Sequence, residues 1–173
     1  MKYTHLPHLD LVGHYQFITF RTFDSMDGYL KKLSLQNKSN DRKQLDIDRY
    51  LDTSCRGAYL QGDVLTTLYD FLKKQDGLWY ELIAFSIMPN HVHLLIRPLE
   101  SLASLMQNIK GSSSRMINGI MGKSGRFWAR DYYDKAIRDE KHFSVVYTYI
   151  KNNPLKLRDC NITGSRFYGI YEE

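Results

Sequence analysis

Apolar and charged fractions of 43% and 25% over 173 residues exclude a disordered chain and allow one ordinary core, so a single domain over 1–173 is expected. No apolar run approaches the roughly 18 residues of a membrane helix, and Met1-Lys2-Tyr3-Thr4-His5-Leu6-Pro7 lacks the apolar segment of a signal peptide, which points to a cytoplasmic protein. The net charge of +5 is uneven: 11 basic and 11 acidic residues cancel through residue 96, whereas 13 basic face 8 acidic from Arg97 onward, a bias that suits a polyanionic partner. Cys55 and Cys160 form no Cys-x-x-Cys pair and read as reduced thiols.

In chain order, His14 to Thr22 alternates as a first strand, ending in Arg21, which is either a phosphate contact or a solvated strand end. Asp24 to Leu35 suggests a short helix, residues 36–41 a polar loop, and Arg42 to Tyr50 a helix of irregular pattern. The region about 33–62 therefore reads as a helical or loop insertion, open to two roles, a substrate-facing lid or plain structure. Asp63 is placed to cap a helix with Val64, Leu65, Leu68, Phe71 and Leu72 on one stripe, ended by Gln75-Asp76-Gly77. Two strands follow, about Trp79 to Met88 and His91 to Arg97. The next helix buries Leu102, Leu105, Met106, Ile109, Met116 and Ile117. Its other face carries Lys110, Ser112, Ser113, Ser114 and Arg115, cations and small hydroxyls suited to a sugar-phosphate backbone or to solvent.

Gly122-Lys123-Ser124-Gly125-Arg126 is a basic turn without phosphate-loop spacing. Phe127-Trp128-Ala129-Arg130 and Asp134-Lys135-Ala136-Ile137 give the approach to a last strand and the strand itself. Asp139 caps a final helix with Phe143, Val146, Tyr147 and Ile150 at helical spacing, stopped by Pro154. A short tail, about 159–173, packs on the domain or lies across a site. This order suggests an α+β fold, an antiparallel sheet with helices on one face.

Two patterns carry chemistry. His91 and His93 alternate with Val92 on a strand, so both imidazoles project to one side, as half of a divalent-metal site or as plain surface residues. Tyr149 and Asn153 stand four apart and share one helix face. There the amide oxygen could serve as a third ligand and the phenol as nucleophile; packing and helix capping are the ordinary alternatives. Tyr147, about 200 degrees round the helix, cannot share that face.

Taken together, Met88-Pro89-Asn90-His91-Val92-His93 and Tyr149-Ile150-Lys151-Asn152-Asn153-Pro154 resemble the single-tyrosine HUH transposases, and within them the REP-associated tyrosine transposases. Further matches are Leu6-Pro7-His8, Gln16-Phe17-Ile18-Thr19-Phe20-Arg21, Ile109-Lys110-Gly111-Ser112, Phe127-Trp128, Asp131-Tyr132-Tyr133-Asp134 and Ile137-Arg138-Asp139-Glu140. The resemblance implies a ferredoxin-like sheet of the HUH endonuclease fold. It implies a nucleoid-associated bacterial enzyme that cuts and rejoins single-stranded, hairpin-containing DNA through a 5′-phosphotyrosine link. Tyr149 would be the nucleophile, and His91, His93 and Asn153 the ligands of Mg or Mn. Arg21, Lys110, Arg115, Arg126, Arg130 and Lys151 are the candidate DNA contacts, and the chain would act as a monomer or homodimer. Two other readings stay open: a catalytically silent single-stranded nucleic-acid-binding module, and a metal-dependent hydrolase using the His pair.

Overall fold

Alternating apolar side chains on three long strands organise the chain around an antiparallel sheet. The computed structural model describes residues 13–26, 28–157 and 165–172; Leu6-Pro7-His8, Cys160 and residues 158–164 of the expected tail lie outside them. The strands are β1 (Gln16–Arg21), β2 (Tyr80–Ile87), β3 (His91–Pro98), β4 (Tyr133–Ala136) and β5 (Phe167–Gly169), in the order β4-β1-β3-β2-β5. Every neighbouring pair is antiparallel, and the first four strands have the ferredoxin-like arrangement. The β2–β3 hairpin turns at Pro89-Asn90, where the Met88 amide donates to the His91 carbonyl at 2.8 Å.

The helices are α1 (Tyr29–Ser34), α2 (Asn40–Thr53), α3 (Gly62–Lys74), α4 (Leu102–Met121) and α5 (Glu140–Asn152). Val92, Leu94 and Ile96 pack with apolar residues of α3 and α4 on one face of the sheet. Phe17, Ala84 and Leu95 pack with Val146 and Ile150 of α5 on the other. The antiparallel α+β class stands, but helices cover both faces: the two crossover helices lie on one and α5 on its opposite. The physical reason is that residues 91, 93 and 95 form a second buried row, and a row of that kind needs its own cover.

Two ends differ from expectation. Gln61 takes the N-cap position of α3 and Asp63 falls in its first turn, where a carboxylate favours the helix dipole without capping. The irregular helix expected over Arg42 to Tyr50 runs from Asn40 to Thr53, its start fixed by Ser39 accepting from the Arg42 amide. At the other end Asp139 caps α5, accepting from the His142 amide at 2.7 Å. Beyond Asn152 the backbone tightens into a 3-10 turn over Asn153–Lys156, because Pro154 has no N–H to continue the helix. Within the expected tail, Phe167–Gly169 forms edge strand β5 against β2.

Candidate metal and tyrosine site

The strand register places the histidines. His93 pairs with Thr19 on β1 and with Ser86 on β2, and His91 pairs with Arg21. Both imidazoles are fully buried, on the face covered by α5, with ring centroids 4.8 Å apart. Each ring has its Nδ1 occupied: His91 Nδ1 lies 2.7 Å from Asn90 Oδ1, and His93 Nδ1 lies 2.8 Å from Thr19 Oγ1. Each Nε2 is buried without a hydrogen-bond partner.

Asn90 fixes the tautomer of His91. Its Nδ2 donates to the carbonyls of Leu51, Ser54 and Arg56 at 3.1, 3.2 and 3.2 Å, so its Oδ1 is the atom that meets the imidazole. An amide oxygen only accepts, hence His91 Nδ1 carries the proton and Nε2 offers a lone pair. The arrangement is the outer-sphere support that metal-bound histidines need. Burial, first, and then the charge of Lys156 hold His91 at about 3. Burial likewise holds His93 well below the usual imidazole range, with His91 and Lys156 adding to it. Both rings are therefore neutral donors near pH 7.

α5 delivers the phenol. Tyr149 stacks edge-on to His93 at 5.2 Å and to Phe17 at 6.0 Å between centroids. One turn later Asn153 is fully buried, and neither of its amide atoms has a hydrogen bond of good geometry. The amide stands beside the Tyr149 phenol, where it slightly favours the phenolate. The structure thus sets Tyr149 against His93 and, through it, beside His91, with the buried Asn153 next to the phenol. Tyr147 turns away: its hydroxyl donates to Glu172 and accepts from the Tyr171 amide, and a β-carbon at Gly169 would collide with it.

The remaining wall comes from α2, whose role the sequence left open. Gln44, Asp48 and Leu51 form its buried stripe, and Asp52 lies beside them, nearly buried. Tyr149 Oη donates to Asp48 Oδ2 at 2.9 Å, while Gln44 Nε2 donates to Asp48 Oδ1 at 2.8 Å. Burial pushes the Asp48 carboxyl up to about 6 against the pull of those two hydrogen bonds. Tyr149 is raised far above the ordinary phenol range, by burial first and then by Asp48 and Asp52. Lys156, from the 3-10 turn, donates to Asp52 Oδ2 at 2.8 Å and sits 5.0 Å from the Tyr149 ring centroid. Gly57 fastens the chain after α2 to β1: Thr22 Oγ1 donates to its carbonyl at 2.9 Å, and with φ of +67° and Thr22 against it no side chain fits there.

The expected DNA contacts divide into two groups. Lys110, Arg126 and Arg130 line an open groove of about 570 Å³ between α4 and residues 126–132. The Lys110 ammonium donates to the Arg130 carbonyl at 2.7 Å, and it is pushed down to about 8 by burial first and then by Arg21 and Arg126, against the pull of Asp131. Arg21 thus belongs electrostatically to the same patch, at the β1 end that faces His91. Arg115 is exposed on α4 outside the groove. Lys151 lies on α5, ion-paired with Glu172 at 2.7 Å. Trp128 is buried in the core, its indole N–H donating to Ser113 Oγ.

The sequence profile of the IS200-like transposases matches residues 43–153, a span that takes in most of α2, both histidines, Tyr149 and Asn153. An uncharacterized protein of Haemophilus influenzae is 33% identical over 41% of this chain and 52% of its own length, so the chain spans about half of that curated relative. A solved structure of a REP-associated tyrosine transposase bound to a REP hairpin superposes with a TM-score of 0.51 at 18% identity, covering 88% of this chain and 73% of that one. At that identity the likeness concerns the fold.

Proposed function

The chain belongs to the IS200-like transposase family, and from that premise we propose that it cuts and rejoins single-stranded DNA through Tyr149. The observation that carries this reading is the contact of the Tyr149 ring with the buried His93, whose own ring lies 4.8 Å from that of His91. His91 Nε2, His93 Nε2 and the Asn153 amide oxygen are buried donors without partners, a set that fits a divalent ion of the Mg or Mn class. Bound there, the ion supplies Lewis-acid polarisation of the scissile phosphate.

Tyr149 Oη attacks the phosphorus, the new P–Oη bond forms, and the P–O3′ bond breaks. The released 3′ oxygen takes up a proton and the phenolic proton passes to a base. Asp48, already hydrogen-bonded to Oη, is the acceptor, and its raised affinity for protons suits it to that role. The product is a 5′-phosphotyrosine diester and a free 3′-hydroxyl. Because the diester bond is conserved, a 3′-hydroxyl reverses the step and joins strands without a nucleotide cofactor.

Burial also defines access. His91, His93 and Asn153 are fully buried, with α2 forming part of the wall, so a scissile phosphate reaches them only when this cover opens. The helix that shields the nucleophile also carries its proton acceptor. Lys110, Arg126, Arg130 and Arg21 are the cations we assign to the phosphates of a hairpin-bearing strand, with Arg115 and Lys151 as outlying contacts.

A hairpin oligonucleotide incubated with Mn2+ should give a denaturant-stable protein–DNA adduct that Tyr149→Phe removes. Full cleavage by Tyr149→Phe that chelation stops would favour a hydrolase. Binding without cleavage in any variant would favour a silent binding module.

A further inference from the structure

We infer that Asp52 of α2 is a further ligand of the divalent ion, so that the ion joins α2 to β3 and closes the site. The inference rests on the metal reading above and adds a carboxylate to its donors.

The argument starts from one contact. Asp52 Oδ1 lies 3.6 Å from His91 Nε2, and both atoms are buried without a hydrogen-bond partner. An ion pair is the first explanation to test, and it fails on the proton. His91 already donates through Nδ1 to Asn90 Oδ1. Turning the Asn90 amide to reverse that bond would set its oxygen against the carbonyls of Leu51, Ser54 and Arg56. A proton on Nε2 would not make the bond either, because Asp52 Oδ1 stands 3.6 Å away, beyond hydrogen-bond reach. The nitrogen thus faces a carboxylate oxygen with no hydrogen bond between them, an arrangement that burial makes costly.

A cation between the two atoms removes that cost. With bond lengths of about 2.1 Å, neighbouring donors of one ion stand about 3–3.5 Å apart, close to the separation present. Lys156 holds the other oxygen of Asp52 at 2.8 Å, which aims Oδ1 at the imidazole and leaves it free to ligate. No three His, Cys, Asp or Glu side chains among the described residues already form a cage, so the bound state requires Asp52 Oδ1 to draw in over the ion. Two imidazoles, an amide oxygen and one carboxylate would favour Mn2+ over softer-site ions and leave positions for substrate.

The test is Mn2+ affinity of the full chain without DNA, measured by calorimetry and by the EPR signal of free Mn2+, with folding of each variant checked by circular dichroism. Wild type should bind, His91→Ala should lose binding, and Asp52→Asn should weaken it at least about 10-fold. Asp46→Asn removes an equal charge elsewhere on α2, where Asp46 pairs with Lys38, and should stay within about threefold of wild type. Asp52→Asn at wild-type affinity, or Asp46→Asn weakening as much as Asp52→Asn, would overturn the inference while leaving the histidine site intact. A wild-type protein that binds no Mn2+ sinks the metal reading itself. Should Asp52→Asn fail to fold, wild-type protein carrying 13C-carboxyl aspartate and loaded with Mn2+ decides the matter. A carboxylate 13C coupling of a directly bound ligand supports the inference, and its absence refutes it.

Discussion

The two faces of β3 are built from the same eight residues and do opposite work. Val92, Leu94 and Ile96 meet α3 and α4 in a continuous apolar core, where burial of apolar surface supplies the stability. His91 and His93 project to the other side, equally buried, yet each leaves an Nε2 without a partner. Around them stand a carboxylate raised to about 6 and an amide with no well-formed hydrogen bond. One face is satisfied and the other is held ready. The cost of the second face is carried by the first, as expected where polar groups are kept unpaired for a reaction.

This contrast can be broken from either side. Leu94→Ala should lower the unfolding free energy by about 2–5 kcal/mol, measured by urea denaturation with chelator present, whereas His93→Ala should cost less than half of that and abolish Mn2+ binding. Asp48→Asn should slow adduct formation about 100-fold while stabilising the metal-free protein at neutral pH. The sign follows from the fold favouring the protonated acid, at about 6 against an ordinary 3.8. The contribution of Asp48 is complete below about pH 4 and lost as pH rises through 6. Asparagine keeps it, so the variant's advantage should grow across that window to at most about 3 kcal/mol and vanish in acid. Asn90→Ala should weaken Mn2+ binding about 10- to 100-fold by freeing the His91 ring. The smallest effect concerns DNA affinity: Lys110→Ala should reduce the slope of log affinity against log salt by about 0.7, and Lys151→Ala, already neutralised by Glu172, should change it less.

The same contrast explains what could be read from the chain without coordinates. The core face was legible because Val92, Leu94 and Ile96 alternate, and because α3 and α4 carry apolar stripes of helical period. The spacing of Tyr149 to Asn153 and of His91 to His93 was legible for the same reason, one on a helix and one on a strand. α2 was legible as a helix over Arg42 to Tyr50 but its role was not, since its buried stripe of Gln44, Asp48 and Leu51 is mostly polar and reads as a surface face. Asp52, Asn90 and Thr19 escaped notice too, as single polar residues whose meaning depends on which imidazole nitrogen they face. The signal that could have found Asp48 and Asp52 is their four-residue spacing with Gln44 on one helix face. The pairing of Lys151 with Glu172 and the addition of β5 to β2 are tertiary events that no local sequence pattern marks.

The measurement that bears most directly on the account is adduct formation on a hairpin-bearing DNA strand with Mn2+, wild type beside Tyr149→Phe and Tyr147→Phe. The account requires a covalent species, mapped by mass spectrometry to Tyr149, that Tyr147→Phe retains and Tyr149→Phe lacks. An adduct that survives in Tyr149→Phe, or maps to Tyr147, would contradict it.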